Sequence, residues 1–233
     1  MKEKTKAVAD FFDQDTYLKN TFNIKLRKRI IQELINTSPP PKNVLDIGCG
    51  DGSLSDFLAG KSDLTLIDIS DKMLELVRKR LTRNTKTGIT ILKGDILELE
   101  LNKKFDLILC IGVLAHVASV NAVLEKIAGL LDPGGRAIIQ ISDASHFRYH
   151  NDNFNTTGYG YRLNKITKSG FLSQLNKSGF KVLQVKGYSW SFFPLTRLSQ
   201  KTQYTVLNLL RKTPLSSFLN SEWLFSVNLI SKK

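Results

Sequence analysis

The chain has 233 residues, 42% of them hydrophobic, with 34 basic residues against 21 acidic ones and a net charge of +13. That length fits one large α/β domain with additions, and no apolar run approaches the roughly 18 residues of a spanning helix. The charge is uneven: residues 145–233 hold 13 basic and 2 acidic side chains, whereas residues 41–144 hold 13 and 14. A basic carboxy-terminal part suits an acidic partner, such as an anionic substrate, an anionic lipid surface or nucleic acid, and equally a solvated basic surface. The first 15 residues, MKEKTKAVADFFDQD, lack the apolar core of a secretory signal. Two cysteines, Cys49 and Cys110, read as small buried hydrophobes and point to a reduced, cytoplasmic setting.

In chain order, Leu18, Phe22, Leu26, Ile30, Ile31 and Leu34 recur at helical spacing, which predicts a helix over Tyr17 to Leu34. Pro39 to Pro41 end it. Phe11, Phe12 and Tyr17 either face a ligand or staple this segment to the core. Val44 to Gly52, VLDIGCGDG, then reads as a buried strand entering a glycine turn, with a helix expected to begin near Ser53. Its free N–H groups would aim at the same space as the turn. A second strand, Leu64 to Ile67, ends at Asp68, twenty positions after Gly48, where a carboxylate is placed to accept hydrogen bonds from ribose hydroxyls. A helix over Asp71 to Leu81 follows. Ile89 to Leu92 is a third strand running into Gly94-Asp95, Phe105 to Ile111 a fourth, and Val120 to Leu131 a helix. Pro133-Gly134-Gly135 then turns the chain into a fifth strand, Ala137 to Ile141. Residues 143–162 form a polar, aromatic-rich loop. A helix over Thr167 to Ser178, a strand over Phe180 to Val185 and a last strand over Glu222 to Ile230 complete the order, with a basic, partly amphipathic insertion at 187–221. Strands alternating with helices at this spacing mean a parallel sheet covered on both faces.

The glycine spacing decides among nucleotide ligands. Gly48, Gly50 and Gly52 give G-x-G-x-G, not the dinucleotide pattern G-x-G-x-x-G, and no Lys-Ser or Lys-Thr follows to make a P-loop. With Asp46 two residues before the first glycine, the segment resembles motif I of the class I S-adenosylmethionine-dependent methyltransferases. Asp68, Gly94-Asp95, the segment Gly112 to Val117 and the Leu130 to Gly135 turn are similar to later motifs of that family, in the same order. The resemblance implies a three-layer Rossmann-like fold with a seven-stranded, mostly parallel sheet. Its last strand would run antiparallel beside the fifth. Residues 1–40 would form a helical lid, and 41–233 the catalytic domain with a helical insertion. It implies S-adenosylmethionine as cofactor, held by Asp46, Gly48, Cys49, Gly50, Asp68, Ile69, Cys110 and Ile111, with Asp95 and Ile96 at the adenine and Gly112 to Val117 lining the methionine end.

Methyl transfer needs positioning first and a base only where the acceptor must lose a proton. His116 follows the fourth strand and is the candidate base; the alternative is that it caps a helix or bonds backbone. Tyr17, Arg148, Tyr159 and Arg162 are candidate acceptor-binding residues, the arginines for an acidic group. His146 and His150 stand four apart, but in a loop, so no metal site is expected. The fourth strand ends CIGV, without the Asn/Asp-Pro-Pro-aromatic segment of amino-directed base methyltransferases, which argues against nucleic acid as substrate. The expected activity is methylation of a small molecule at oxygen, acidic or lipid-like, with peripheral membrane contact through the basic carboxy-terminal region. A nucleic-acid methyltransferase and a non-catalytic cofactor-binding scaffold are the alternatives.

Overall fold

In a computed structural model, the structure describes residues 2–14, 21–36, 39–81, 88–149, 159–188, 198–210, 213 and 220–230. Seven strands form one sheet: β1 (Asn43–Ile47), β2 (Asp63–Asp68), β3 (Ile89–Lys93), β4 (Phe105–Cys110), β5 (Leu131–Ser142), β6 (Phe180–Tyr188) and β7 (Glu222–Leu229). Their order is β3-β2-β1-β4-β5-β7-β6. The pairs among β1 to β5 are parallel, and β7 runs antiparallel between β5 and β6. The helices are α1 (Lys2–Phe12), α2 (Thr21–Ile35), α3 (Asp71–Leu81), α4 (Val120–Leu130), α5 (Lys168–Lys177) and α6 (Gln200–Leu210).

Alternate side chains of each strand feed opposite cores, because successive residues point to opposite faces. Leu45, Ile47, Ile108, Ile139 and Phe225 pack with Val123, Leu124 and Ile127 of α4 and Phe171 and Leu175 of α5. Val44, Leu66, Leu107, Leu109 and Ile138 pack with Ile30, Ile31 and Leu34 of α2 and Leu74 and Val77 of α3. The apolar runs read in the sequence are therefore covered on both sides. Helix starts follow local chemistry: Ser119 caps α4 by accepting from Ala122 N, and Thr167 caps α5 by accepting from Gly170 N.

Four expectations are corrected. No α-helix follows the glycine turn; Ser53 lies in turns that lead into a 3-10 helix, Asp56–Leu58. Gly52, Ser53, Ser55, Asp56 and Gly60 crowd this stretch with turn formers before β2 begins at Asp63. The residues before the first expected helix themselves form α1, and α2 runs Thr21–Ile35 rather than from Tyr17, which lies outside the described residues. β5 begins at Leu131 and absorbs the Pro-Gly-Gly turn as a bulge: Phe105 pairs with Leu131 and Leu107 with Arg136. The loop at 143–162 contains a short 3-10 turn, Phe147–Tyr149.

Arg136 ties sheet to helix. It is buried, and its guanidinium donates to the carbonyls of Leu34 (3.0 Å) and Ile35 (2.7 Å) at the end of α2. These are carbonyls that a helix end leaves without an intrahelical donor, and they carry its partial negative charge. Arg136→Met keeps the apolar stem and removes the donors. It is expected to cost about 3 kcal/mol, by the worth of hydrogen bonds to charged groups, read as a lower urea midpoint at unchanged slope.

Candidate active site

The strand order reverses direction between β1 and β4, and the chain therefore leaves these two strands on opposite sides, opening a crevice at their carboxyl ends. The turn after β1 and the loop after β4 meet there. A Cβ at Gly48 would lie 2.5 Å from Val113 Cγ2, so only glycine allows the contact. Gly50 also has a left-handed backbone, φ +55°, but nothing lies within 4 Å of where its Cβ would be. Its side is open to the cleft.

Asp68, at the tip of β2, holds this turn by its backbone. Gly50 N donates to its Oδ2 at 2.8 Å and Ser70 N to its Oδ1 at 2.9 Å. Burial raises the Asp68 pKa while these N–H groups oppose the rise. Across the cleft, Asp95 Oδ1 accepts from Leu97 N (3.0 Å), and Oδ2 accepts from Thr5 Oγ1 of α1 (3.1 Å). Gly48, Gly50, Asp68, Ile69, Asp95, Ile96, Ile111 and His116 thus line one cleft, as expected together from the sequence.

Asp46, Cys49 and Cys110 do not line it. They lie behind its wall, buried in or beside the sheet. Asp46 alternates with Leu45 and Ile47, so it points to the α2 and α3 side among apolar neighbours. Its Oδ2 has no hydrogen-bond partner among the described residues. Burial, helped by the charges of Asp68 and Asp51 and opposed by Ser55, pushes its pKa up to about 7. Burial also raises both thiols, so neither is a ready nucleophile.

The helix α1 lies across the opening and supplies Thr5, Val8 and Phe12 to its wall. It is fixed to the ends of three strands. Lys4 Nζ donates to Val117 O (3.0 Å) beyond β4, Thr5 bonds Asp95 beyond β3, and Ser70 beyond β2 donates to Asp13, just past α1. Thr5 and Val8 recur with Phe12 at helical spacing, a sequence signal that marks this wall of the cleft.

Rings gather at one end. Phe12 and Tyr159 stand 5.2 and 5.4 Å from the His116 ring, and Phe11 packs on Tyr159 at 4.5 Å. His116 Nδ1 and the Tyr161 hydroxyl are 2.8 Å apart. Burial, with Lys4 nearby, lowers the His116 pKa to about 4, so the imidazole is neutral at physiological pH. Of the other candidates, Tyr159 joins this group, whereas Arg162 is exposed and does not line the cleft. Arg148 has its backbone in the 3-10 turn and its side chain outside the described residues, as Tyr17 is altogether.

With this geometry, the chain can be set beside known proteins. The family described as "Methyltransferase domain" matches residues 40–184. The Ubiquinone biosynthesis O-methyltransferase of Bordetella avium is 36% identical over 112 residues, 47% of this chain and 46% of that one. The Malonyl-[acyl-carrier protein] O-methyltransferase of Priestia megaterium is 32% identical over 95 residues, covering 40% and 34%. These matches span about half the length of such relatives or less. Among solved structures, an N-methyltransferase of Bradyrhizobium japonicum in complex with S-adenosyl-L-homocysteine superposes with a TM-score of 0.65 at 16% identity, covering 98% of this chain and 99% of that one. The magnesium protoporphyrin IX methyltransferase of Synechocystis with bound S-adenosylmethionine gives 0.64 at 18%, covering 97% of each.

The burial of the Asp46 carboxyl has a measurable consequence. Its folded pKa lies above its unfolded value, so its contribution to stability is full below about pH 4 and is lost as pH rises through about 7. Asp46→Asn removes the ionisation. The variant is expected to gain on the order of 2–4 kcal/mol over the parent at pH 8 and nothing at pH 4, read by urea unfolding at both values. An equal difference at both pH values would contradict the assignment. The cleft at the strand switch, its glycine turn and its two acidic strand tips coincide with the family match, and the chain belongs to the methyltransferase-domain family with the class I S-adenosylmethionine-dependent methyltransferase fold.

Proposed function

We propose that this protein transfers a methyl group from S-adenosylmethionine to a hydroxyl of a small-molecule acceptor. The observation that carries the reading is the carboxylate of Asp68 at the tip of β2, bonded to Gly50 N across a turn with no side chain in front of it. Such a place takes an adenosyl ribose. Ile69 and Ile96 supply apolar surface for the base, Asp95 an acceptor for its amino group, and Ile111 and Gly112 the wall at the methionine end. When bound, the cofactor supplies an electrophilic methyl carbon on a sulfonium leaving group.

The chain's own residues then orient the acceptor and exclude water. Phe12, Tyr159 and Tyr161 surround His116 with apolar ring surface, which suits an aromatic or lipid-like acceptor. His116 takes the acceptor proton, and Tyr161 holds the ring by its Nδ1. A neutral imidazole of low basicity suffices, because a hydroxyl becomes strongly acidic as its oxygen is alkylated. Relatives named for O-methylation support oxygen as the methylated atom. α1, with three anchors over the opening, serves as the lid. Exposed Leu198 and Leu209, next to and within α6 in the basic carboxy-terminal part, support contact with an anionic membrane that carries the acceptor. Among the described residues no helix is long and apolar enough to cross a membrane.

Asp68→Ala is expected to weaken S-adenosylmethionine binding at least tenfold, about 1.4 kcal/mol, by calorimetry; unchanged affinity would refute the ribose role. Incubation of the protein and methyl-tritiated S-adenosylmethionine with a cell extract is expected to place label in the organic phase. Label confined to the aqueous phase would dispose of the lipid-like acceptor.

A further inference from the structure

Next to the cleft, on the α2 side of the sheet, lies a polar group that the cofactor does not account for. Ser142 of β5 stands opposite Glu222 of β7 in register, and Gln140 projects to the same side two residues earlier. Glu222 is only 1% exposed. Its Oε2 accepts from Gln140 Nε2 (2.5 Å) and Ser142 Oγ (2.9 Å), and its Oε1 accepts from the Tyr149 hydroxyl.

This arrangement fixes the Gln140 amide. A carboxylate has no proton to give, so the amide nitrogen must face Glu222 and the carbonyl must face away. Gln140 is 3% exposed, and its Oε1 has no hydrogen-bond partner among the described residues. A buried acceptor left without a donor is costly. One neighbour of this oxygen is Gly112, which lines the cleft after β4. Where a Cβ of Gly112 would lie, the nearest atoms are Gln140 Oε1 at 3.8 Å and Arg27 Nη1 at 3.9 Å. Gln140 itself does not line the cleft; its bare carbonyl oxygen lies behind Gly112, on the side where that residue carries no side chain.

We propose that Gln140 Oε1, held in orientation by Glu222, is a recognition site for a hydroxyl or amine N–H on the methyl acceptor. The proposal rests on the methyltransferase reading above and adds the substrate's hydrogen-bonding class. A group that only accepts hydrogen bonds has no partner at this oxygen. An acceptor with a donor group satisfies it, and selection against analogues lacking the donor follows from the same unpaired atom.

Three probes of the same ring size separate the cases: phenol offers O–H, aniline offers N–H and anisole offers no donor. Each is titrated by ligand-observed NMR into the protein saturated with S-adenosyl-L-homocysteine. The expected result is that phenol or aniline binds at least about tenfold more tightly than anisole, a loss typical of one unpaired buried polar group. Preference for phenol assigns a hydroxyl, and preference for aniline an amine. Gln140→Met is expected to abolish the preference while the affinity for S-adenosyl-L-homocysteine is kept. Equal binding of the three probes by the parent protein, or binding of none, overturns the proposal without recourse to any variant. So does a Gln140→Met protein that binds S-adenosyl-L-homocysteine weakly yet retains the probe preference, because the carbonyl then serves the donor molecule. Failure of the parent protein to bind S-adenosyl-L-homocysteine at all overturns the methyltransferase reading instead.

Discussion

The hydrogen bond from Gly50 N to Asp68 Oδ2 is the constraint on which the site depends. It joins the turn after the first strand to the tip of the second, and each side needs the other. A left-handed turn exposes an N–H that no ladder satisfies, and a largely buried carboxylate requires donors to remain tolerable. Glycine supplies the backbone shape at no steric cost. The rest of the crevice is built outward from this bond. β3 and β4 bring Asp95 and His116 to the same edge because the sheet is parallel there and every strand delivers its following loop to one side. α1 then crosses that edge, fixed at the ends of three strands.

Charge is managed around the cleft by burial more than by pairing. Asp46 sits with an unpartnered oxygen behind the glycine turn, and desolvation favours its neutral form. His116 is held neutral by the same effect acting in the opposite sense on a base. The acidic groups Asp46, Asp51, Asp68 and Asp95 all belong to the near-neutral part of the chain, and the excess of lysine and arginine lies beyond residue 144. Along the sequence, the half that carries the cleft is thus close to neutral and the basic excess belongs to the part that follows it.

The architecture was legible because every central strand is an apolar run and every turn at the carboxyl edge carries a glycine or an aspartate. Those signals are local, and the sheet turned them into a site without rearrangement. Where the sequence misled, the cause is identifiable. Helices commonly follow such glycine turns, yet the residues after Gly52 are turn formers and settle as turns and a 3-10 helix. Asp46 looked like a ligand-binding residue by position, but strand alternation directs it away from the cleft. Within the expected helical lid of residues 1–40, the separate helix α1 carries a weak local signal, because its apolar face is interrupted by Thr5, whose hydroxyl bonds Asp95. Gln140 and Glu222 are polar residues inside apolar strands. Their meaning depends on a register between β5 and β7, more than 80 residues apart, that no local pattern reveals.

The most direct measurement is a crystal structure of the protein grown with S-adenosyl-L-homocysteine. The account requires the ribose hydroxyls on Asp68, the purine between Ile69 and Ile96 with its amino group at Asp95, and the sulfur directed towards His116. Density for the nucleoside elsewhere, or a ribose that bypasses Asp68, would contradict it.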